Sequence, residues 1–210
     1  MTKNKDWSGN SKTTFVMLGA SNHTEKEREE HDFYATDPIA GEELMKIAPY
    51  LDNIYENAVG QGHLAKVFEK HGKLGCVSDL IDRGYRPEKA KYFYGDKANL
   101  LEMDTTQHRW SGDIVTNPPF IYAREFCEKS LELINDGRYV CMFLKIQFLK
   151  SQKRREFFKK YPPKFVYIAT NRINCAMNGD FDKYKSSAIC YCWFIWQKGF
   201  TGDTIIRWFN

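Results

Sequence analysis

The sequence predicts an α/β domain built around a largely parallel sheet. Three observations carry this expectation. From Phe33 onward short apolar runs alternate with amphipathic stretches, the pattern of strand-helix-strand units. A G-x-G turn, Gly60-Gln61-Gly62, stands between one apolar run and the amphipathic stretch after it, where a chain must pass tightly from strand into helix. Beyond residue 164 the helical pattern stops. Three runs rich in Tyr, Ile, Phe and Trp follow it, a composition that favours strands and an antiparallel C-terminal hairpin.

Taken in chain order, residues 1–32 are polar and charged and end in Lys26-Glu27-Arg28-Glu29-Glu30, so they read as a mobile leader or lid. Residues 33–210 read as one catalytic domain. Asp37-Pro38 supplies a capping side chain and a proline for the first helical position, which predicts a helix over 38–50. The apolar run at 53–57 is a strand, and Leu64, Val67 and Phe68 at helical spacing make 63–71 a helix. Residues 74–80 and, more briefly, 92–94 are strands. A strand at 113–116, a helix over 123–134 and a strand at 138–144 follow. The stretch 153–160 is a helix, and 164–169, 187–197 and 204–209 are the terminal strands.

At 210 residues the chain can bury one good core. Its net charge of +4 permits a polyanionic partner without requiring one. Placement says more than the sum, because Lys145, Lys150, Lys153, Arg154, Arg155, Lys183 and Lys185 all follow the turn described next, where they can hold nucleic-acid phosphates. A solvated helix face explains those between 150 and 160 equally well. The six cysteines form no C-x-x-C pair and no matching His spacing, which predicts no zinc site and no other metal. Cys190 and Cys192 fall on one face of a strand and read as packing residues. There is no secretory segment and no apolar run long enough to cross a bilayer, so a reduced, cytoplasmic setting is expected.

The segment with the sharpest chemical meaning is Asn117-Pro118-Pro119-Phe120, directly after the apolar run 113–116. The lone pair of an exocyclic or amide nitrogen is delocalised into a π-system, so the nitrogen is a poor nucleophile until that pair is localised. An Asn oxygen and the neighbouring main-chain carbonyl can accept both of its N–H bonds. Two prolines stiffen the turn, and an aromatic ring can stack on the flat acceptor. The four residues therefore suit methyl transfer onto a planar amine. As bare sequence they also make an ordinary strand-ending turn.

Three further segments read as a nucleotide-like cofactor site. Glu56-Asn57-Ala58-Val59-Gly60-Gln61-Gly62 lets the backbone approach a ligand below a helix N-terminus, although the third glycine of the dinucleotide fingerprint is missing. Asp79 ends the next strand, close to the spacing of about 20 residues at which an acid meets a ribose; Asp82 competes for that role, and capping a turn is the alternative for either. Asn99-Leu100-Leu101 can bracket an adenine ring or simply be a loop with two core leucines.

In this order, the segments resemble class I S-adenosylmethionine-dependent amino-methyltransferases, specifically the small DNA adenine methyltransferase-like proteins of phages and prophages. The resemblance spans 33–210. It rests on Phe33 to Pro38, Glu56 to Gly62, Ser78 to Tyr85 and Asn117 to Phe120, and continues through Phe143 to Leu149, Arg172-Ile173-Asn174 and Tyr191 to Gly199. Asn57 and Val59 replace the usual Pro and Cys of the cofactor loop, and Asn99 stands where Asp is usual. The resemblance implies a Rossmann-like, seven-stranded, mostly parallel sheet whose last strand is antiparallel. It implies S-adenosylmethionine as cofactor, held by Tyr34, Thr36, Pro38, Glu56, Ala58, Gly60, Gly62, Asp79, Leu80, Asn99, Leu100 and Asn117. Asn117, Pro118, Pro119 and Phe120 would be catalytic, and the acceptor an adenine amino group in DNA. An RNA base, a protein glutamine and an inactive binding protein of the same fold are the alternatives. No separate target-recognition domain is expected between Gly60 and Asn117 or after the hairpin, so specificity would come from loops, the leader or a protein partner, in a bacterial host cytoplasm.

Overall fold

A computed structural model describes residues 33–88, 90, 92–96, 98–177, 179–182 and 189–210. The leader 1–32, Lys183 and Lys185 lie outside the described residues. Strands β1 (Tyr34–Thr36), β2 (Ile54–Glu56), β3 (Leu74–Asp79), β4 (Tyr92–Asp96) and β5 (Ile114–Thr116) interleave with helices α1 (Pro38–Ile47) and α2 (His63–Lys70). Helix α3 (Ala123–Leu133), β6 (Tyr139–Lys145), α4 (Arg155–Lys160), β7 (Phe165–Ala169), β8 (Cys175–Met177), β9 (Tyr191–Gln197) and β10 (Ile205–Phe209) complete the order.

The main sheet runs β10-β7-β9-β6-β5-β2-β3-β4. Its β6-β5-β2-β3-β4 half is parallel throughout, and β9 lies antiparallel between β6 and β7. Seven strands thus form the mostly parallel sheet expected from the sequence. The eighth, β10, extends it. The final run was expected in an antiparallel hairpin, yet β10 pairs with β7 in parallel, Ile205 opposite Phe165 and Phe209 opposite Ala169. The physical reason is that β6 and β7 occupy both edges of β9, so the chain reverses after β9 and finds only the outer edge of β7.

Sheets covered on both faces need strands that are apolar at every position. In β6, Val140, Met142 and Leu144 join the core under α3 and α4, and Cys141 and Phe143 join the core under α1 and α2. β9 divides the same way, with Cys192, Phe194 and Trp196 against Trp193 and Ile195. Cys190 also packs on the first of these cores, which puts it on the face of Cys192 as expected. Buried indole N–H groups need acceptors. Trp193 donates to the Ala40 carbonyl at 3.0 Å, and Trp196 to that of Tyr161 at 3.0 Å.

Two further contacts position the strands. Asp113, only 1% exposed, accepts from Asp52 N–H at 2.8 Å and Tyr139 N–H at 2.9 Å, tying the start of β5 to β6. Secondly, β1 pairs antiparallel with β8, Thr36 opposite Cys175, in a separate two-stranded sheet that sequence periodicity does not reveal. Helix α1 begins as the sequence predicts: Asp37 accepts from Ile39 N–H at 3.0 Å and Pro38 takes the first turn.

Candidate active site

A cavity of about 600 Å³ opens where the C-terminal ends of β2, β3 and β5 meet the segments after them, with β1 forming part of its wall. This is the crevice where open α/β sheets bind ligands. Tyr34, Thr36, Glu56, Ala58, Asp79, Leu80, Asn99, Leu100, Asn117 and Pro119 all line it. Residues scattered over more than eighty positions of sequence thus share one wall.

The glycine turn runs beside the cavity: Val59 and Gln61 line it, whereas Gly60 and Gly62, expected in the wall, are covered by other side chains. Gly60 and Gly62 adopt φ of +55° and +78°, a region costly for any other residue. A Cβ on Gly60 would collide with the Phe33 ring, and one on Gly62 with the Tyr85 ring. Gly62 also stands at the N-cap of α2, so the helix's free N–H groups begin at the cavity. Asn57, in place of the usual proline, anchors the turn from behind by donating to Ser130 Oγ on α3 at 3.1 Å.

Asp79 and Asp82 separate clearly. Asp79 lies in the wall, its two oxygens accepting from Gly60 N–H at 2.7 Å and Ile81 N–H at 3.0 Å, and each retains a lone pair. Asp82 pairs with Arg86 at 2.6 Å and accepts from Gly84 N–H at 2.8 Å. Asn99 spends one lone pair of its oxygen on Leu101 N–H at 3.1 Å, opening a short 3₁₀ turn, with Leu100 buried behind it.

Glu56 is 2% exposed and its Oε2 has no hydrogen-bond partner among the described residues. Burial, and then the neighbouring Asp79 carboxylate, push its carboxyl well above the usual range, with the Ala65 N–H opposing. His63, at the first position of α2, is held low by burial and by Lys66, against Asp37. Leu80, Ile121 and Tyr122 are each about half exposed at this wall, an apolar surface more typical of a ligand site than of bare exterior.

The turn after β5 gives Asn117 a fixed pose. Its Nδ2 donates to the Tyr34 carbonyl at 2.8 Å, while Oδ1 is buried and has no partner among the described residues. Pro118 is buried, and Pro119 starts a 3₁₀ turn over Phe120–Tyr122. Phe120 lies beside the cavity wall. Its ring stands 5.9 Å from Tyr34 and 6.2 Å from Tyr191, and Lys145 Nζ sits 4.6 Å from its centroid. Pro38, at the head of α1, also stands outside the wall.

Of the cations read as phosphate contacts, Lys150, Lys153 and Arg155 are exposed. Arg154 has a different occupation. Its guanidinium donates to the carbonyls of Phe148, Gln147 and Lys150 and stacks on the Phe148 ring at 4.6 Å, closing the turn at 146–149. Sequence reasoning assigns no role to Gln61, His63, Arg83, Ile121, Tyr122 or Phe126, yet all line the cavity. Only their proximity to the glycine and proline turns hinted at it.

No family model and no curated protein matches the chain. Solved structures do. A protein from Listeria monocytogenes described as a class I S-adenosylmethionine-dependent methyltransferase superposes with a TM-score of 0.54 at 13% identity, covering 93% of this chain and 71% of that one. The type IIG restriction endonuclease BpuSI gives 0.57 at 15% identity, over 89% of this chain and 27% of its own. A protein from Lactococcus lactis described as a hemolysin gives 0.54 at 11% identity, over 79% and 89%. At such identities the likeness speaks for architecture. Together with the sheet order and the crevice at its C-terminal edge, it gives the chain the Rossmann-like fold of class I S-adenosylmethionine-dependent methyltransferases.

Proposed function

We propose that the protein transfers a methyl group from S-adenosylmethionine to the exocyclic amino nitrogen of adenine in DNA. The observation that carries this is Asn117, a residue of the cavity wall: one end of its amide is fixed to Tyr34, and the other is a buried oxygen with no partner among the described residues. A buried acceptor left unpaired is costly, and a donor from a substrate would relieve that cost. An amine N–H is such a donor, and the Pro118 carbonyl can take the second.

The wall fits the cofactor. Asp79 retains lone pairs for ribose hydroxyls, and the Glu56 oxygen with no partner among the described residues suits an ammonium group. Bound there, S-adenosylmethionine supplies an electrophilic methyl group. The chain's own part is to hold the acceptor nitrogen in line, draw both N–H bonds toward Asn117 and the Pro118 carbonyl, and keep water out with Tyr34, Phe120 and Tyr122. Nucleic acid as acceptor is supported by Lys145 beside Phe120 and by the exposed Lys150, Lys153 and Arg155. The likeness to a restriction endonuclease agrees with it.

A transfer assay with labelled cofactor, offering duplex DNA, single-stranded DNA, RNA and protein side by side, tests the acceptor. Label in adenine of DNA is the expected result; label in RNA or on glutamine would move the acceptor while leaving the amine chemistry. Asn117→Ala should lower turnover by about 100-fold or more while S-adenosylhomocysteine affinity stays near wild type. Near-normal turnover would remove Asn117 from the mechanism.

A further inference from the structure

We propose that Arg83, held flat against Phe33, captures the carboxylate of the cofactor's amino-acid portion, so that the cavity distinguishes complete S-adenosyl amino acids from thioadenosines that lack it. This rests on the S-adenosyl reading of the cavity given above.

Arg83 lines the cavity, and its guanidinium lies 4.2 Å from the centroid of the Phe33 ring. Phe33 in turn covers Gly60, whose missing Cβ leaves the room for that ring. The stack therefore sits at the glycine-turn end of the site, next to the N-terminus of α2. A guanidinium carries five N–H donors and no acceptor, and it keeps its charge at any ordinary pH. Yet Arg83 Nε is buried and has no acceptor among the described residues.

The acids of its own loop are turned elsewhere. Asp82 is committed to Arg86 and Gly84, and Asp79 to the N–H groups of Gly60 and Ile81. A buried donor with no acceptor among the described residues, on an arginine of the cavity wall, is best satisfied by an anionic ligand group. Stacking on Phe33 fixes the guanidinium plane, and the in-plane N–H groups of a guanidinium match the two oxygens of one carboxylate. S-adenosylmethionine contains one anionic group, that carboxylate; its ammonium and sulfonium are repelled by an arginine.

Calorimetry on the full chain tests this with two ligands, S-adenosylhomocysteine and 5′-methylthioadenosine, which lacks the amino-acid end. Wild type should bind the first more tightly. Arg83→Gln should weaken S-adenosylhomocysteine on the order of 10-fold or more and leave methylthioadenosine within about 2-fold, which also shows that the variant is folded. Arg83→Lys should recover part of the loss, and Phe33→Leu should show a smaller loss with the same selectivity. Equal weakening of both ligands by Arg83→Gln, or no change in either, overturns the assignment while the cofactor reading stands. A wild-type protein that binds neither ligand overturns the cofactor reading and the arginine's role with it.

Discussion

Glu56 holds a proton where the unfolded chain would have released it. Burial and Asp79 raise its folded-state pKa well above the usual value, so between the two values the folded state binds more protons than the unfolded state. Stability must then fall as pH rises from about 4.5 through the folded pKa. Glu56→Gln removes the titration and keeps the shape, so the variant should melt several degrees above wild type at pH 7 to 8 and alongside it near pH 4. Thermal unfolding across pH checks this, and a variant less stable at neutral pH would show that the carboxylate earns stability through contacts the cavity does not reveal. A shallower slope should persist in the variant, because burial also raises Asp113, whose oxygens join β5 to β6.

Among the elements, the turn from β2 into α2 joins a positive φ to a close steric contact. Gly62 and Gly72 both hold positive φ, at +78° and +66°, but only at Gly62 would a Cβ meet another side chain, the Tyr85 ring; around Gly72 there is nothing within 4 Å. Gly72→Ala should therefore cost about 1 kcal/mol, the left-handed penalty alone. Gly62→Ala should cost about 2 kcal/mol or more and weaken S-adenosylhomocysteine binding, since Tyr85 and the turn must both shift. Urea unfolding of the two variants gives the comparison, and equal losses would mean that the Tyr85 contact is easily relieved. Element identity was largely readable from periodicity. The exceptions are β1 and β8, each three residues long and paired with each other across the chain. Likewise, the expected helix over 153–160 opens as a 3₁₀ turn at Gln152–Arg154 because Arg154 is drawn back onto the carbonyls before it.

At the scale of the whole molecule, a modest net charge of +4 is arranged so that exposed cations follow Asn117-Pro118-Pro119-Phe120. If DNA lies there, affinity should fall steeply with salt. Replacing Lys150, Lys153 and Arg155 together by Ser should then reduce the slope of log affinity against log salt by about 2 to 3 while the melting temperature holds. Arg154→Ser should behave oppositely, lowering the melting temperature through its lost carbonyl contacts. Duplex binding over a salt series decides this. A flat dependence in wild type would remove DNA from the proposal and leave the amine chemistry of Asn117 in place.

The sequence by itself determined the alternation of elements, the glycine turn, and the position of Asn117-Pro118-Pro119-Phe120 after a strand, because each depends on residues a few places apart and on their intrinsic backbone preferences. What only the tertiary structure decided depends on side-chain direction and distant partners. It set Asp79 toward the cavity and gave Asp82 to Arg86, turned Arg154 inward, sent β10 to the outer edge of β7, and laid Arg83 on Phe33. It also decided that Asn117 is held by Tyr34, eighty-three residues away, with its buried oxygen unpartnered among the described residues. A hydrogen bond between such distant groups forms only after the sheet has brought them together, so local pattern carries no trace of it.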